Sequence, residues 1–249
     1  MNLSLIIKSI FNVNKKIETS ILPSQGLFYP NGLEIWIKKA SIDDVTEYEY
    51  KFEDNLGVAI SKLKKIVKNN TIVSNGFVFE DIKNMDIIFI FIEIVKFTNN
   101  KPFYLHDPLK NKIEFSEKTF NYFDKKYIEK IYNPEEKNIQ IEGFKYTIPT
   151  IGIENCISSH IISKSYTPES KLYEEYSYDF IYFLGQKNHI SSNEIENLIQ
   201  IFNHDMEESE KEKIKKIVQD LSFLSGYSLV KDSQIIGLSF NINLESVWR

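Results

Sequence analysis

Arginine and cysteine are almost missing from this chain of 249 residues. Arg249 is the single arginine, and every other basic residue is a lysine. Because arginine is the side chain best suited to clamp a phosphate or carboxylate with two hydrogen bonds, its scarcity weakens any phosphate-clamp hypothesis. The excess of Ile, Asn, Phe and Tyr points in addition to an AT-rich genome. The single cysteine, Cys156, excludes an internal disulfide and a cysteine-based zinc site.

The chain also lacks a hydrophobic run long enough to cross a bilayer. Its most apolar stretch, Met85 to Phe97, is shorter than the roughly 20 residues required and contains Glu93. The N-terminal apolar run is interrupted by Lys8 and has no small-residue cleavage site, so we expect no signal peptide. With a net charge of −5 and interleaved charges, the sequence predicts a soluble intracellular protein with no nucleic-acid partner and no membrane span.

Familiar motifs of catalysis and cofactor binding are missing too. The sequence has no glycine-rich phosphate loop and no G-x-S-x-G nucleophile motif. Cys156 and His160 would share one face of a helix, where a histidine can activate a thiolate, but core packing is the commoner role for such a cysteine. We therefore predict no catalytic residue, no cofactor and no small-molecule substrate.

One cluster has a composition that could hold a divalent ion. A solvated junction between two helices explains the same composition, because acidic residues favour the start of a helix. We predict this second interpretation, and hence no metal site, for the cluster of His204, Asp205, Glu207 and Glu208.

Hydrophobic spacing predicts an α+β protein, with a mixed region of short strands and helices over 1–150 and a mainly helical region over 151–249. "LEIWIK" alternates as a strand, and Ser41 with two following aspartates predicts a helix start. The Met85–Phe97 stretch fits a helix or a buried strand, and Asp86 near its start favours the helix. Ser191 and Glu194 predict a capping box for a later helix.

The segment "LPSQGLFYPNG", Leu22 to Gly32, is rich in turn residues yet apolar. Its prolines fix φ and its glycines permit turns, so a stiff loop is expected. Such a loop either presents Leu22, Phe28 and Tyr29 to a partner, where rigid aromatic anchors lose little entropy, or folds them back onto its own core. The sequence leaves both interpretations open.

This segment resembles the Leu-Pro-Ser-x-Gly-x-x-Tyr-Pro-x-Gly signature of the T4-type bacteriophage baseplate hub proteins. Later stretches of the chain fit the same pattern: "LEIWIKKASIDDVTEY", "MDIIFIFIEIVKF", "KYTIPTIGIE" and "FLGQKNHISSNEIENLIQIFNHDM". Some members of the family carry cysteine pairs after the first half. The corresponding "LHDPLKNKIEF" has none, so a zinc knuckle is not implied here.

The resemblance implies a non-catalytic protein whose partners are phage baseplate hub proteins. An N-terminal helix before the signature favours a hub assembly factor acting in the host cytoplasm; the alternative is a permanent structural subunit in the virion tail. An aromatic helix around Tyr176–Phe183 is a further candidate contact surface. The candidate partner-binding residues lie in the loop and in the N-terminal helix: Leu22, Pro23, Ser24, Gly26, Phe28, Tyr29 and Pro30, and Leu3, Ile6, Ile7, Ile10 and Phe11.

Overall fold

The computed structural model describes residues 14–47, 56–106, 112–115, 125–163, 180–181, 189–221, 229–231 and 234–236. Helices and small antiparallel sheets occur together, so the predicted α+β class is confirmed. The chain divides into two compact units. The first contains Met1–Phe79, Met85–Tyr122 and Tyr227–Arg249, and the second contains Glu80–Asn84 and Phe123–Gly226. The division into 1–150 and 151–249 stays a prediction.

The elements of the first unit are short except for two helices. They are β1 (Asn14–Ile17), β2 (Ile35–Lys38), α1 (Ile42–Glu47), α2 (Leu56–Asn70), β3 (Thr71–Val73), α3 (Ile87–Asn99), β4 (Tyr104–His106) and β5 (Lys112–Glu114). The second unit then contains α4 (Lys125–Ile131), β6 (Tyr132–Asn133), β7 (Asn138–Ile141), β8 (Phe144–Tyr146), α5 (Ile151–Ser163), α6 (Ser192–Gln200), a π-helical turn (Ile201–Asp205) and α7 (Glu208–Asp220). The chain returns to the first unit as β9 (Leu229–Lys231) and β10 (Gln234–Ile236).

The core of the first unit is built around α3. Strands β1, β2 and β3 form an antiparallel sheet with β2 in the centre, and β2 packs against α3. Helix α2 also packs against α3. The helix is therefore covered on more than one side, and its residues from Ile87 to Val95 are buried without interruption. The predicted helix over this stretch is confirmed. Because the helix is covered on more than one side, nearly all of its buried residues are apolar.

Strand β2 shows the alternation that its sequence predicts. Ile35 and Ile37 are fully buried, whereas Trp36 between them is half-buried on the outer face. On that outer face Trp36 pairs with Lys16 of β1 and with Ile72 of β3. The burial of alternate residues thus sets the register of the sheet.

Two of the predicted helix starts are confirmed by their hydrogen bonds. At α1, Ser41 Oγ accepts from the Asp44 amide at 3.1 Å, and the Asp44 carboxylate accepts from the Ser41 amide at 3.0 Å. At α6, Ser191 and Glu194 form the same reciprocal pair. Each pair satisfies amides that the helix itself leaves open.

The second unit combines a small meander with helices. Strands β6, β7 and β8 pair in order, and α5 packs against α6. His160 Nδ1 of α5 lies 2.6 Å from Ser192 Oγ at the start of α6. The rings of Phe180 and Phe202 stand 5.1 Å apart, which gives this unit an aromatic contact of its own.

A charged residue, Glu93, lies in the middle of the apolar helix α3. Lys15 Nζ lies 2.7 Å from Glu93 Oε2, and Lys96, one turn on, bonds the other oxygen. Burial by itself raises the pKa of Glu93, but the hydrogen bonds from the two lysines outweigh it and lower the pKa. The carboxylate therefore stays ionised and ties β1 to α3.

We expect Glu93→Gln to lower the free energy of unfolding at neutral pH by roughly 1–3 kcal/mol, because the two lysines lose the charge that compensates them near the core. Since the pKa of Glu93 is lowered on folding, its contribution is present above the ordinary value of 4.5 and is lost as the pH falls below it. Urea unfolding across this pH range measures both effects. Glu34→Gln, at the exposed pair with Lys16, is the matched control, and equal losses in the two variants would contradict the role of Glu93.

Candidate functional site

Residues 22–33 form a chain of tight turns, which we call the signature loop. Each turn is closed by an amide that donates to the carbonyl oxygen three residues earlier. These bonds run from Gln25 to Leu22 at 2.7 Å, from Leu27 to Ser24 at 3.1 Å, from Tyr29 to Gly26 at 3.3 Å and from Leu33 to Pro30 at 3.3 Å. The backbone of the loop thus satisfies much of its own hydrogen bonding, as a stiff loop requires.

Gly26 occupies a position in this loop that favours glycine. Its φ is +72°, and a Cβ atom there would lie 2.9 Å from Thr19 Oγ1 and 3.3 Å from the Thr19 backbone. Both the left-handed backbone and the close approach favour glycine. The glycine of the signature therefore has a local steric reason.

The signature loop is fixed to the core through Asp86. The Ser24 amide donates to Asp86 Oδ1 at 2.8 Å, and the Tyr29 hydroxyl donates to Asp86 Oδ2 at 2.8 Å. All three residues are buried. Asp86 stands at the N-cap of α3 but makes no side-chain capping hydrogen bond, so it does not act as a conventional cap. A carboxyl group at this end of a helix is placed where the helix dipole favours negative charge.

The three apolar side chains of the loop point inward. Leu22, Phe28 and Tyr29 are 1%, 3% and 2% exposed. Of the two interpretations that the sequence leaves open, the fold has these side chains in the chain's own core. In this conformation they are not available as anchors for a partner.

The remaining loop positions divide by exposure. Pro23 and Ser24 are also buried, and Gly26 is half-buried. Pro30, Asn31 and Gly32 are exposed, and we call these three residues the loop apex. The Gly32 carbonyl accepts a hydrogen bond from the Asn75 side chain, which holds the apex beside the turn that follows β3.

The other predicted contact residues fall largely outside the described part of the chain. Leu3, Ile6, Ile7, Ile10 and Phe11 all lie there. So does most of the aromatic stretch Tyr176–Phe183, of which Phe180 and Ile181 are described and buried. Their partner-binding role stays a prediction.

The Cys156 and His160 pair does lie on a helix, α5. Cys156 is half-buried, and His160 is 2% exposed. The hydrogen bond between His160 and Ser192 joins α5 to α6, a structural use of the ring. This favours the packing interpretation for the histidine.

The acidic cluster around His204 lies on the surface. His204 and Asp205 end the π-helical turn, and Glu207 precedes the first residue of α7, Glu208, which forms an ion pair with Lys211 at 3.2 Å. Within the described ranges, no group of three His, Cys, Asp or Glu residues is placed to hold a metal ion. Nor does any helix in the described part of the chain combine the length and apolarity needed to cross a membrane.

The pKa of the Asp44 carboxyl lies clearly below its ordinary value. Its carboxylate accepts hydrogen bonds from Asn69 and Asn70 at the end of α2, both at 2.9 Å, and from Ser41. Burial acts to raise the pKa of Asp44, but the hydrogen bonds outweigh it and lower the pKa to about 2. A group that stays ionised to such low pH is a structural acceptor and is poorly suited to act as a general acid near neutral pH.

The sequence did not reveal these roles for Asp44 and Asp86. Asp86 was recognised as a helix-start signal, but its bonds to Ser24 and Tyr29 span 62 and 57 residues. Asp44 was recognised as a first-turn carboxylate, and its acceptor role toward Asn69 and Asn70 is likewise long-range. Hydrogen bonds between residues so far apart in the sequence cannot be predicted from a local sequence pattern.

We expect Asp86→Ala to destabilise the protein by about 2–4 kcal/mol, because two buried donors lose their acceptor. Tyr29→Phe removes one of the two bonds and should cost about 1–2 kcal/mol. Urea unfolding measures both losses of stability. Hydrogen exchange then shows whether the loop itself has been released in each variant. The Ser24 amide should lose protection in the folded state of Asp86→Ala and keep it in Tyr29→Phe. Unchanged protection of Ser24 in both variants would show that Asp86 does not hold the loop.

Asp44→Asn should lower stability at neutral pH by roughly 1–2 kcal/mol, allowing for solvent screening. The folded-state pKa is depressed, so the contribution of Asp44 is present above its ordinary value of 3.8 and is lost as the pH falls toward about 2. Thermal unfolding at a series of pH values should show this loss in the native protein and not in the variant. Asp43→Asn, at the exposed neighbouring position, is the control and should keep the native pH profile.

Comparison with known proteins assigns no function to these residues. No family model, no curated protein and no solved structure matches the chain. The candidate site is therefore defined by the signature loop, its apex and the Asp86 contacts alone.

Proposed function

We propose that this chain is a non-catalytic assembly factor for the tail baseplate hub of a T4-type bacteriophage. It would bind hub subunits in the host cytoplasm and promote their association. The observation that carries the proposal is the form of the signature loop. The stretch that resembles the hub signature is anchored in the core through Asp86 and exposes Pro30, Asn31 and Gly32 at its apex.

A preformed apex of this kind suits a binding protein. Its turns are closed by backbone hydrogen bonds, and Pro30 restricts the unbound chain. Little conformational entropy remains to be lost when a partner covers it, so a modest contact area can give useful affinity. The buried aromatic residues then serve the interaction indirectly by holding the apex in place.

The use of the buried carboxylates supports a non-enzymatic role. Asp44, Asp86 and Glu93 each accept hydrogen bonds that fasten one segment of the first unit to another. For Asp44 and Glu93 these bonds lower the pKa, the opposite of what a general acid near neutral pH needs. Their chemistry is that of structural ties.

A permanent structural subunit of the baseplate hub is the alternative function. The same loop would serve it, since a stiff exposed turn can form a lasting interface as well as a transient one. The two functions differ in where the protein is found. An assembly factor stays in the host cytoplasm, whereas a structural subunit is present in the finished virion tail.

The test is affinity purification of the tagged chain from infected cells, with quantitative mass spectrometry of the purified tails beside it. We expect hub subunits to co-purify with the chain, and the chain to be abundant in the lysate and nearly absent from tails. A fixed integer ratio of the chain to hub subunits in tails would favour the structural alternative. Absence of hub subunits from the purified material, together with absence of the chain from tails, would overturn both.

A matched pair of proline variants tests the apex itself. Pro30→Glu places a charge at the loop apex and should reduce recovery of hub subunits at least about tenfold, because a buried unpaired charge opposes association. Pro134→Glu makes the same change at an exposed turn of the second unit and should leave recovery unchanged. Each variant loses one proline, so both should lose a similar, small stability of about 0.4–1 kcal/mol and remain folded. Equal recovery with the two variants would remove the apex from the binding surface.

A further inference from the structure

The turn that follows β3 is built on an asparagine followed by a glycine. It is closed by the Phe77 amide, which donates to the Ser74 carbonyl oxygen at 3.3 Å. Between them, Asn75 and Gly76 have positive φ values of +63° and +83°, and both residues are exposed. Asparagine and glycine tolerate this left-handed backbone better than other residues do, so the sequence of the turn suits its geometry.

The same pair of residues occurs once more in the sequence, at Asn31 and Gly32 of the loop apex, and the fold brings the two pairs together. The Asn75 side-chain amide donates to the Gly32 carbonyl oxygen, across 43 residues of sequence. The amide group of one side chain thus ties the turn after β3 to the loop apex. Any change to that amide group alters how the apex is held.

An asparagine that precedes a glycine is chemically reactive. The backbone nitrogen of the glycine can attack the side-chain carbonyl carbon of the asparagine, and the missing Cβ leaves that nitrogen unshielded. Among the described residues, no atom lies within 4 Å of the point where a Cβ of Gly76 would stand. Asn75 is itself exposed, so the reacting atoms are accessible to water.

We propose that Asn75 is a site of spontaneous deamidation and that its conversion releases the loop apex. In the first step the Gly76 nitrogen forms a bond to Asn75 Cγ, and the bond from Cγ to Nδ2 breaks. Ammonia leaves with the proton of the Gly76 nitrogen, and a cyclic imide remains. Water then opens the imide at one of its two carbonyls. Opening at the side-chain carbonyl leaves an aspartate at position 75, and opening at the main-chain carbonyl leaves an isoaspartate.

Both products lose the donor that holds the apex. An ionised carboxylate only accepts hydrogen bonds, and here it brings a negative charge next to the carbonyl oxygen of Gly32. The isoaspartate also lengthens the main chain by a methylene group, which alters the turn. The apex then keeps its own turn bond, from the Leu33 amide to the Pro30 carbonyl oxygen, and loses its tie to the turn after β3. This chemistry belongs to the chain alone and does not depend on the proposed partner.

The first measurement is tryptic peptide mapping by mass spectrometry after incubation of the purified full chain at mildly alkaline pH. The peptide 69–83 should gain the mass that distinguishes a carboxyl from an amide, and fragmentation should locate the gain at Asn75. Conversion should accelerate as the pH rises, because the Gly76 nitrogen must lose its proton. Asn100 is the matched control, since it is exposed, has a φ of +51° and precedes Lys101. It should remain unconverted over the period in which most of Asn75 converts.

Hydrogen exchange at the Leu33 amide tests the release of the apex. In Asn75→Asp, which reproduces one product, this amide should exchange about two- to tenfold faster, the factor expected for the loss of one hydrogen bond. Asn100→Asp makes the same change at another exposed left-handed asparagine and should leave the exchange of Leu33 unchanged. Asn75→Gly suits the same backbone and removes the donor without adding a charge. It should also speed the exchange, and it replaces the aspartate variant if that variant fails to fold.

The other results would overturn the proposal. Absence of conversion at Asn75 in the folded chain would show that the fold protects the site, even if a synthetic peptide of residues 69–83 converts. Equal conversion of Asn75 and Asn100 would show that the following glycine confers no reactivity here. Native exchange at Leu33 in both Asn75 variants would show that the apex does not depend on this side chain.

Discussion

The contact of Asp86 with the signature loop is the interaction on which the first unit depends. A carboxylate with no exposed surface must be compensated, because an uncompensated buried charge would cost more than most single contacts return. Part of its compensation comes from the Ser24 amide and the Tyr29 hydroxyl, and it stands at the N-terminal end of α3. The dependence is mutual, since the two loop donors would be left without an acceptor if Asp86 were elsewhere. Loop and helix are therefore stable in this arrangement together.

Helix α3 organises the rest of the unit in the same manner. It is apolar along most of its length and covered by β2 and α2, so its packing alone would permit several orientations of the N-terminal segments around it. Its two acidic positions remove that freedom. Asp86 fixes the loop at one end, and Glu93 fixes β1 through Lys15 about two turns further on. Hydrophobic burial is not directional and would permit several arrangements of these segments. The directional polar contacts of Asp86 and Glu93 select one of them.

The features that could be predicted from the sequence are those that depend on residues close to one another along the chain. The alternation in β2, the capping box at Ser191 and the helical state of α3 were all predicted correctly from local spacing. Strands β1 and β3 were not predicted, because they are short and their pairing with β2 involves distant residues. The inward position of Phe28 and Tyr29 depends in the same way on Asp86, far along the chain.

The distribution of roles within the signature bears on what a resemblance to it can mean. Leu22, Ser24 and Tyr29 are buried and hold the loop, and Gly26 permits the left-handed backbone at its own position. These positions make the loop stable, and they would do so for any partner. Under the proposed function, specificity would come from residues that the signature leaves open, such as Asn31 at the apex. If the resemblance holds, the buried positions would be the ones that such chains share, and the few exposed side chains of the loop would set the choice of partner.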